Sequence, residues 1–284
     1  MALLWLPITE KRDNMFQREI QGRLAIFKSP LLRRQQGLVH GFSSRGGGYS
    51  TGEYASLNLG LTSGDAVMDV RQNRLLFATT LGIGPERVVC GRQVHSTNIA
   101  RVGREEMGRG FLDAAQALPD TDGLVTNERG VALLTLFADC VPVLFYEPIQ
   151  QVIGVCHCGW RGTVGKIAAK MVGIMVQEYG CQPQNICAAI GPSISRAAYE
   201  VDRPVLEQFQ QAFSFADRLI TPVDETHGKV DLWEANRLQL LEAGLEKPNI
   251  EVSGLCTYQN HQTFFSHRAD HGKTGRNGAL LMML

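Results

Sequence analysis

The sequence lacks an excess of charge of either sign, since its 284 residues contain 28 lysines and arginines and 28 aspartates and glutamates. Nucleic-acid-binding proteins usually carry a clear basic excess, so this balance argues against such a partner. Long hydrophobic runs are also missing, because runs such as residues 131–137 fall far short of the roughly 20 residues that cross a bilayer. The apolar residues 1–8 have no basic leader and no small-residue cleavage site after them. We therefore expect a soluble cytoplasmic protein without a signal peptide.

Several sequence signatures are absent: the glycine-rich dinucleotide fingerprint, the phosphate-binding P-loop, the serine nucleophile elbow and the HExxH zinc motif. The chain contains seven cysteines, an odd number that cannot all pair in disulfides. A chain of this size also does not need disulfides for stability. Each cysteine is therefore a buried thiol, a metal ligand or a nucleophile. Hydrophobic residues make up 44% of the chain, which excludes disorder as its main state and supplies a sizeable core.

The centre of the chain predicts a buried sheet. Residues 130–137, 141–146 and 152–156 are continuously apolar, which is typical of strands buried on both faces. The short turn between the last two favours an antiparallel pair. Apolar residues at helical spacing predict a long helix over 163–179, ended by Gly180.

Shorter elements surround this centre. Strands and helices mix without regular alternation, so we expect one α/β domain with helices packed outside a central mixed sheet. That domain spans residues 37–284, and residues 1–36 form an N-terminal extension that contains a possible hairpin. The other predicted helices are 69–81, 204–213 and 232–243, and the other predicted strands are 24–27, 38–42, 87–90, 98–102, 186–190, 252–256 and 279–282.

Three polar residues lie where predicted strands end and loops begin: His95, Cys140 and His157. Strand ends commonly carry functional residues, and catalytic zinc typically has three protein ligands and one open position for water. Two alternatives stay open at this point. Each residue can be an ordinary core residue, or Cys140 can be a nucleophile with a histidine base. Asp139 would point away from Cys140, because successive residues of a strand face opposite sides.

The same alternation applies to the cysteines on either side of His157. If the strand persists, Cys156 and Cys158 share one face and His157 points to the other, so the three should not share a metal. We favour His157 over the cysteine pair, because the sequence after it leads into a helix whose N-terminus suits an anion. Arg161 adds a bidentate contact for phosphate or carboxylate, or forms an ordinary surface ion pair.

These residues stand in a pattern that resembles the YfiH-like family. That family is also called the multicopper polyphenol oxidase or laccase-domain family, the peptidoglycan-editing factor family and the purine nucleoside phosphorylase family. The resemblance covers about residues 38–284, and the order and number of its blocks make it specific. The blocks are Gln93-Val-His95, Ala138-Asp-Cys-Val-Pro142, His157-Cys-Gly-Trp-Arg-Gly162, His40-Gly-Phe-Ser-Ser-Arg-Gly-Gly-Gly48, Ser56-Leu-Asn-Leu-Gly60, Asp122-Gly-Leu-Val-Thr126, Ile190-Gly-Pro-Ser-Ile194, Tyr199-Glu-Val201, Cys256-Thr-Tyr258, Phe264-Phe-Ser266 and Thr274-Gly-Arg276.

The resemblance implies a single α/β sandwich and a zinc site with His95, Cys140 and His157 as both ligands and catalytic residues. It implies phosphorolysis of adenosine, inosine, guanosine and methylthioadenosine, and deamination of adenosine. Alternatives attached to the family are copper-dependent oxidation of polyphenols and editing of peptidoglycan, the latter with Cys140 as nucleophile. Several coppers need many histidine ligands, and the seven histidines here argue against multicopper oxidation as the main activity.

The expected partners are purine nucleosides and phosphate, with no nucleic acid and no membrane, in a monomer or homodimer. We expect the substrate and phosphate contacts to come from Arg45, Asn58, Gln93 and Arg161. The sequence departs from the family pattern where Cys156 and Cys158 replace small residues. His267 and Ala269 also replace the usual Tyr and Arg, and His271 resembles an insertion. The histidines expected to be solvated are His227, His261 and His271.

Overall fold

The structure is a computed structural model that describes residues 16–284. Residues 1–8, on which the signal-peptide prediction rests, lie outside the described residues, as does the first part of the predicted extension. Within residues 16–284, no helix is both long and apolar enough to cross a membrane.

Within the described residues, the strands form two six-stranded sheets and one small three-stranded sheet. In chain order the strands are β1 (Gln17–Gln21), β2 (Leu24–Lys28), β3 (Leu38–Ser43), β4 (Val88–Cys90), β5 (Ile99–Arg101), β6 (Gly123–Thr126), β7 (Ala132–Phe137), β8 (Val141–Glu147), β9 (Val152–Cys158), β10 (Cys187–Ile190), β11 (Glu200–Asp202), β12 (Ile220–Pro222), β13 (His227–Val230), β14 (Ile250–Val252) and β15 (Asn277–Met283). The first sheet has the order β1-β2-β3-β15-β7-β4, the second β14-β10-β8-β9-β6-β5, and the small sheet β11-β13-β12.

The helices cover the outer faces of the two large sheets. The buried residues of β8 show the layering, because Leu144 packs between the sheets while Phe145 faces the helices. On the outside of the first sheet, Phe77 of the second helix packs against β7 and β15 residues. The helices are α1 (Pro30–Arg33), α2 (Val67–Thr80), α3 (Trp160–Val164), α4 (Ile167–Tyr179), α5 (Arg203–Ala212), α6 (Ala216–Leu219) and α7 (Leu232–Glu242).

This layering confirms the predicted α/β fold with outer helices. Both faces of β7, β8 and β9 are covered, which explains why their sequences are continuously apolar. The strands β8 and β9 pair antiparallel, as the short turn between them predicts. The hairpin in the predicted extension also forms: β1 pairs with β2, and β2 continues the first sheet by pairing with β3.

The prediction of one helix over residues 163–179 is wrong, because the helix is broken into α3 and α4. Lys166 lies between them with a φ of +61°, a left-handed conformation that a continuous helix does not allow. A Cβ on Gly165 would lie 2.4 Å from Thr97 Cγ2, so the chain there passes close against the loop that carries His95. This close contact explains why position 165 is occupied by glycine.

The prediction of a strand over residues 252–256 is also wrong in its extent. The strand β14 ends at Val252, and Gly254 has a φ of +66°, which turns the chain away from the sheet. Cys256 then meets Ser193 in an isolated parallel bridge. The chain is thereby free to form the closing loop that returns to the site.

The fold brings the three strand-end residues to one end of the sandwich. His95 lies in the loop between β4 of the first sheet and β5 of the second. Cys140 lies in the short crossing from β7 to β8, which also joins the two sheets. His157 is the penultimate residue of β9 and pairs with Pro142 of β8. The site therefore forms where the chain passes between the sheets.

Candidate metal centre and active-site cavity

The structure brings the imidazoles of His95 and His157 and the thiol of Cys140 together. The candidate ligand atoms of these residues all lie within 4.8 Å of one another. The two imidazole rings are 5.0 Å apart between centroids and are inclined at 65°. Among the residues described by the structure, this is the one group of three or more His, Cys, Asp or Glu side chains with that spacing.

Asp122 holds two members of this group in place. Its Oδ1 lies 2.9 Å from His157 Nδ1, which fixes the ring and directs Nε2 as the available nitrogen. The same carboxylate accepts backbone N–H groups of Val94, His95 and Ser96 at 3.1, 3.0 and 2.8 Å. These bonds stabilise the left-handed φ of +61° at His95, which costs energy in a residue other than glycine.

Sequence reasoning gave Asp122 no role, although it stands in one of the blocks that resemble the family. A carboxylate close to a histidine in space but 35 residues away in sequence leaves no local pattern. The structure reveals the role because Asp122 is buried, and an ionised carboxylate is rarely buried without partners.

Asp139 shapes the turn before Cys140 from the other side. Its φ of +84° is left-handed, and its carboxylate accepts hydrogen bonds from Thr257 Oγ1 at 2.6 Å and Arg268 N at 2.7 Å. The side chain thus anchors the closing loop and does not enter the group of candidate ligands. Asp139 and Cys140 lie in the connection between β7 and β8, so this separation comes from the turn and not from the strand alternation that the sequence predicts.

The charges of the site favour a thiolate. Burial would raise the pKa of Cys140, but His157 and His95 outweigh burial and lower that pKa to about 6. Burial would lower the pKa of His157, but Cys140 and Asp122 raise it well above its ordinary value. Burial would also raise the pKa of Asp122, but hydrogen bonds from His157, Ser96 and Val94 lower it to about 2. Thiolate is the form of cysteine that binds metals and attacks electrophiles.

Gly159 has no side chain, which leaves room for the side chains of His95, Cys140 and His157. A Cβ at this position would lie 2.9 Å from His95 Cδ2, closer than real Cβ atoms come, and 3.0 Å from Cys140 Sγ, which is tighter than most Cβ contacts. It would also lie 3.8 Å from His157 Cε1. The φ of Gly159 is −62°, so its backbone suits any residue and the constraint is the contact alone.

Cys156 and Cys158 lie on the opposite face of β9. Both are fully buried in the apolar cluster beneath α4, where Met171 also packs. Burial raises the pKa of Cys158 well above the ordinary value, as expected of a thiol among apolar side chains. The structure therefore places the two cysteines apart from His157, as the alternation of β9 predicts.

A cavity of about 520 Å³ opens beside the three residues. Gln93 and Arg161 line it, together with His267 of the closing loop. Gln93 bonds the backbone of Leu136 through both its oxygen and its nitrogen, each at 2.8 Å, and so fixes the start of the His95 loop. The guanidinium of Arg161 lies 4.3 Å from the centroid of the Trp160 ring.

Arg45 and Asn58 are not among the residues that line the cavity. Arg45 donates to the carbonyl oxygens of Ala55 and His261 at 3.1 and 2.7 Å, and its guanidinium lies over the ring of Phe265. The assignment of Arg45 and Asn58 as substrate contacts stays a prediction, and the contacts that the structure shows for them are with other parts of the protein. Asn58 is fully buried and bonds to Ser63, Asp65, Gly60 and Arg276.

The remaining sequence-predicted positions lie outside the candidate ligand group. His227 and His271 are exposed and His261 is half-buried. The helix after His157, α3, has only five residues, so it supplies little of the N-terminal charge expected for an anion. The cavity residues that the sequence did not single out include Arg74, Tyr199 and Arg268.

The structure thus combines two sheets and outer helices with a three-residue candidate metal centre beside a cavity, which is the arrangement of an α/β enzyme. Residues 39–284 match the family model described as multi-copper polyphenol oxidoreductase laccase, and the chain belongs to this family. The resemblance found in the sequence blocks is thereby confirmed.

Relatives with curated names are enzymes, and the chain is an enzyme of this family. It is 42% identical over 266 residues to "Purine nucleoside phosphorylase YlmD" of Geobacillus stearothermophilus, covering 93% of this chain and 95% of that one. It is 34% identical over 224 residues to "Adenosine deaminase RL5" of an unknown prokaryotic organism, covering 78% and 85%. The crystal structure of the Bacillus licheniformis hypothetical protein YfiH superposes with a TM-score of 0.90 at 34% identity, covering 95% and 99%.

Replacing Asp122 by asparagine should weaken metal binding by about 10- to 100-fold, because the partner that orients His157 is lost. The measurement is zinc retention against a competing chelator. Asp120→Asn is the matched control, because Asp120 lies two residues away and its carboxylate is exposed and paired with Arg92. Equal zinc retention by both variants would show that Asp122 does not support the centre.

Proposed function

We propose that this chain is a zinc-dependent enzyme that cleaves purine nucleosides with phosphate and deaminates adenosine. The observation that carries the proposal is the His95, Cys140 and His157 group at the wall of a cavity. The names of two relatives, a purine nucleoside phosphorylase and an adenosine deaminase, support the substrate class. The proposed substrates are adenosine, inosine, guanosine and methylthioadenosine.

The donor set fits one zinc ion. Two imidazoles and one thiolate are ligands that Zn²⁺ prefers, and three protein ligands would leave a fourth position for water. The close approach of Gly159 supports this fit, since the space beside the ligand atoms is kept free of a side chain. Several coppers do not fit, because the whole chain has seven histidines and only two of them belong to the group.

The protein's own groups position the reactants. A zinc ion bound here would act as a Lewis acid and make water acidic enough to attack near neutral pH, as deamination at purine C6 requires. Asp122 fixes the orientation of His157, and Trp160 and Tyr199 give the cavity aromatic walls suited to a purine. In phosphorolysis, a phosphate oxygen bonds to the anomeric carbon while the bond to the purine nitrogen breaks.

The direct test is product analysis with the zinc-loaded protein. Adenosine with inorganic phosphate should yield adenine and ribose 1-phosphate, and adenosine without phosphate should yield inosine and ammonia. Absence of turnover with every purine nucleoside would contradict the proposal. We further propose that residues 37–284 form the catalytic domain, to whose first sheet the β1–β2 hairpin of the extension adds two strands. The protein is proposed to be a cytoplasmic monomer or homodimer that binds neither nucleic acid nor membranes.

A second function is favoured by one observation. A thiol, an imidazole and a carboxylate lie next to one another in space, on Cys140, His157 and Asp122. This is the arrangement of a nucleophile, its base and the group that orients the base. On this alternative the chain is a hydrolase that edits cell-wall precursors, with Cys140 attacking the substrate. The two functions differ in whether Cys140 is free or bound to metal.

Thiol labelling separates these functions, because Cys140 is the one cysteine of the seven that is not buried. With zinc bound, Cys140 should resist iodoacetamide until a chelator is added. In the chelated protein, the labelling rate should fall as the pH drops below about 6, because His157 and His95 keep the thiolate down to that pH. Fast labelling without a chelator would favour the nucleophile.

A further inference from the structure

Arg74 of α2 is a buried cation without an acidic partner. Arg74 is only 3% exposed, yet no carboxylate oxygen of the described residues lies within ion-pairing distance of its guanidinium. Nε donates to Leu59 O at 2.6 Å, and Nη1 donates to Gly110 O and Phe111 O at 2.8 and 2.6 Å. Carbonyl oxygens do not neutralise the charge, and buried charges are normally paired. Burial accordingly lowers the pKa of Arg74.

Arg74 and Arg276 both line the cavity. The two are joined through Leu59, whose N–H donates to Arg276 O at 3.0 Å while its carbonyl accepts from Arg74. A Cβ on Gly60 would lie 2.8 Å from Arg276 Cγ, so the loop closely supports that side chain. Arg276 Nη1 also donates only to carbonyl oxygens, those of Thr274 and Gly275.

The other arginines that line the cavity are exposed, whereas Arg74 is buried and Arg276 is half-buried. Arg92 is exposed and pairs with Asp120 at 2.9 Å. Arg161 is also exposed and stacks on Trp160. A dianion bound in the cavity would therefore gain most from Arg74 and Arg276, because guanidinium groups bind phosphate through paired hydrogen bonds that strengthen away from water.

We propose that Arg74 and Arg276 bind the phosphate co-substrate in the cavity as inorganic phosphate. This inference rests on the proposed phosphorolysis and assigns the phosphate contact to residues other than Arg45 and Arg161. Phosphate bound by these two arginines shares one cavity with the metal-ligand group.

The test is calorimetric titration of the zinc-loaded protein with inorganic phosphate. Arg276→Gln and Arg74→Lys should each weaken phosphate binding by about 10-fold or more, because each removes charge-assisted hydrogen bonds. Arg203→Gln is the control, since Arg203 is exposed, pairs with Glu207 and lies outside the cavity. If Arg74→Lys fails to fold, Arg276→Gln carries the test.

Folded variants that keep the wild-type phosphate affinity would overturn the inference. Binding of adenosine monophosphate by the wild type without binding of inorganic phosphate would also overturn it. Turnover assays keep this question apart from the proposed function. In an active enzyme, the KM for phosphate should rise about 10-fold in Arg276→Gln while the KM for the nucleoside changes far less. If the wild type is inactive but binds phosphate through these arginines, the proposed phosphorolysis is contradicted and the anion site is supported.

Discussion

Replacing Cys140 by alanine should lower kcat/KM for the phosphorolysis of adenosine by at least about 10³-fold, a loss typical of removing a catalytic metal. Cys140 supplies the only sulfur in the candidate ligand group, and its thiolate would neutralise one of the two positive charges of a divalent cation. Without it, two imidazoles remain, one of them exposed to solvent. The measurement is steady-state kinetics beside zinc content.

Cys187→Ala is the matched control for this loss. Cys187 is buried in the cluster between the sheets, lies outside the cavity, and has a pKa raised by burial to about 11, as expected of an inert thiol. We expect this variant to lose some stability and keep its turnover. Equal activity of Cys140→Ala and Cys187→Ala would contradict the role given to Cys140.

Replacing Gly159 by alanine should weaken zinc binding by about 100-fold in a protein that still folds. The added methyl group would stand 2.9 Å from His95 Cδ2 and 3.0 Å from Cys140 Sγ, so both side chains must move. A metal centre tolerates little displacement of its ligands, whereas the fold does not depend on this contact. Zinc affinity and the thermal midpoint should be measured on the same preparation.

Gly173→Ala provides the comparison. Gly173 lies inside α4, and a Cβ there would have no neighbour within 4 Å. Alanine is the better helix former, so this variant should be more stable by about 0.5–1 kcal/mol and bind zinc normally. A Gly159→Ala protein with unchanged zinc affinity would show that the centre does not need the space beside Gly159.

The parts of the fold that follow from local pattern could be predicted from the sequence. The strands β7, β8 and β9 were recognisable because burial on both faces leaves an unbroken apolar run. Strand ends and side-chain alternation then placed His157 apart from Cys156 and Cys158. These inferences need only the period of a strand and the tendency of functional residues to follow it.

The residues that could not be predicted act through contacts between distant segments. Asp122 meets His157 across 35 positions, and Arg74 looks like a surface residue of an ordinary helix until the fold buries it. The break between α3 and α4 lies at Lys166, whose left-handed φ the apolar spacing of residues 163–179 does not reveal. The guanidinium of Arg45, which the sequence suggests for phosphate, lies over the ring of Phe265.

The central claim is that His95, Cys140 and His157 hold one zinc ion, and metal analysis of the purified protein tests it most directly. The wild type should contain close to one zinc per chain, and His157→Ala should lose most of it, because a buried ligand oriented by Asp122 is removed. Wild-type protein without stoichiometric zinc, or His157→Ala with undiminished zinc, would contradict the account.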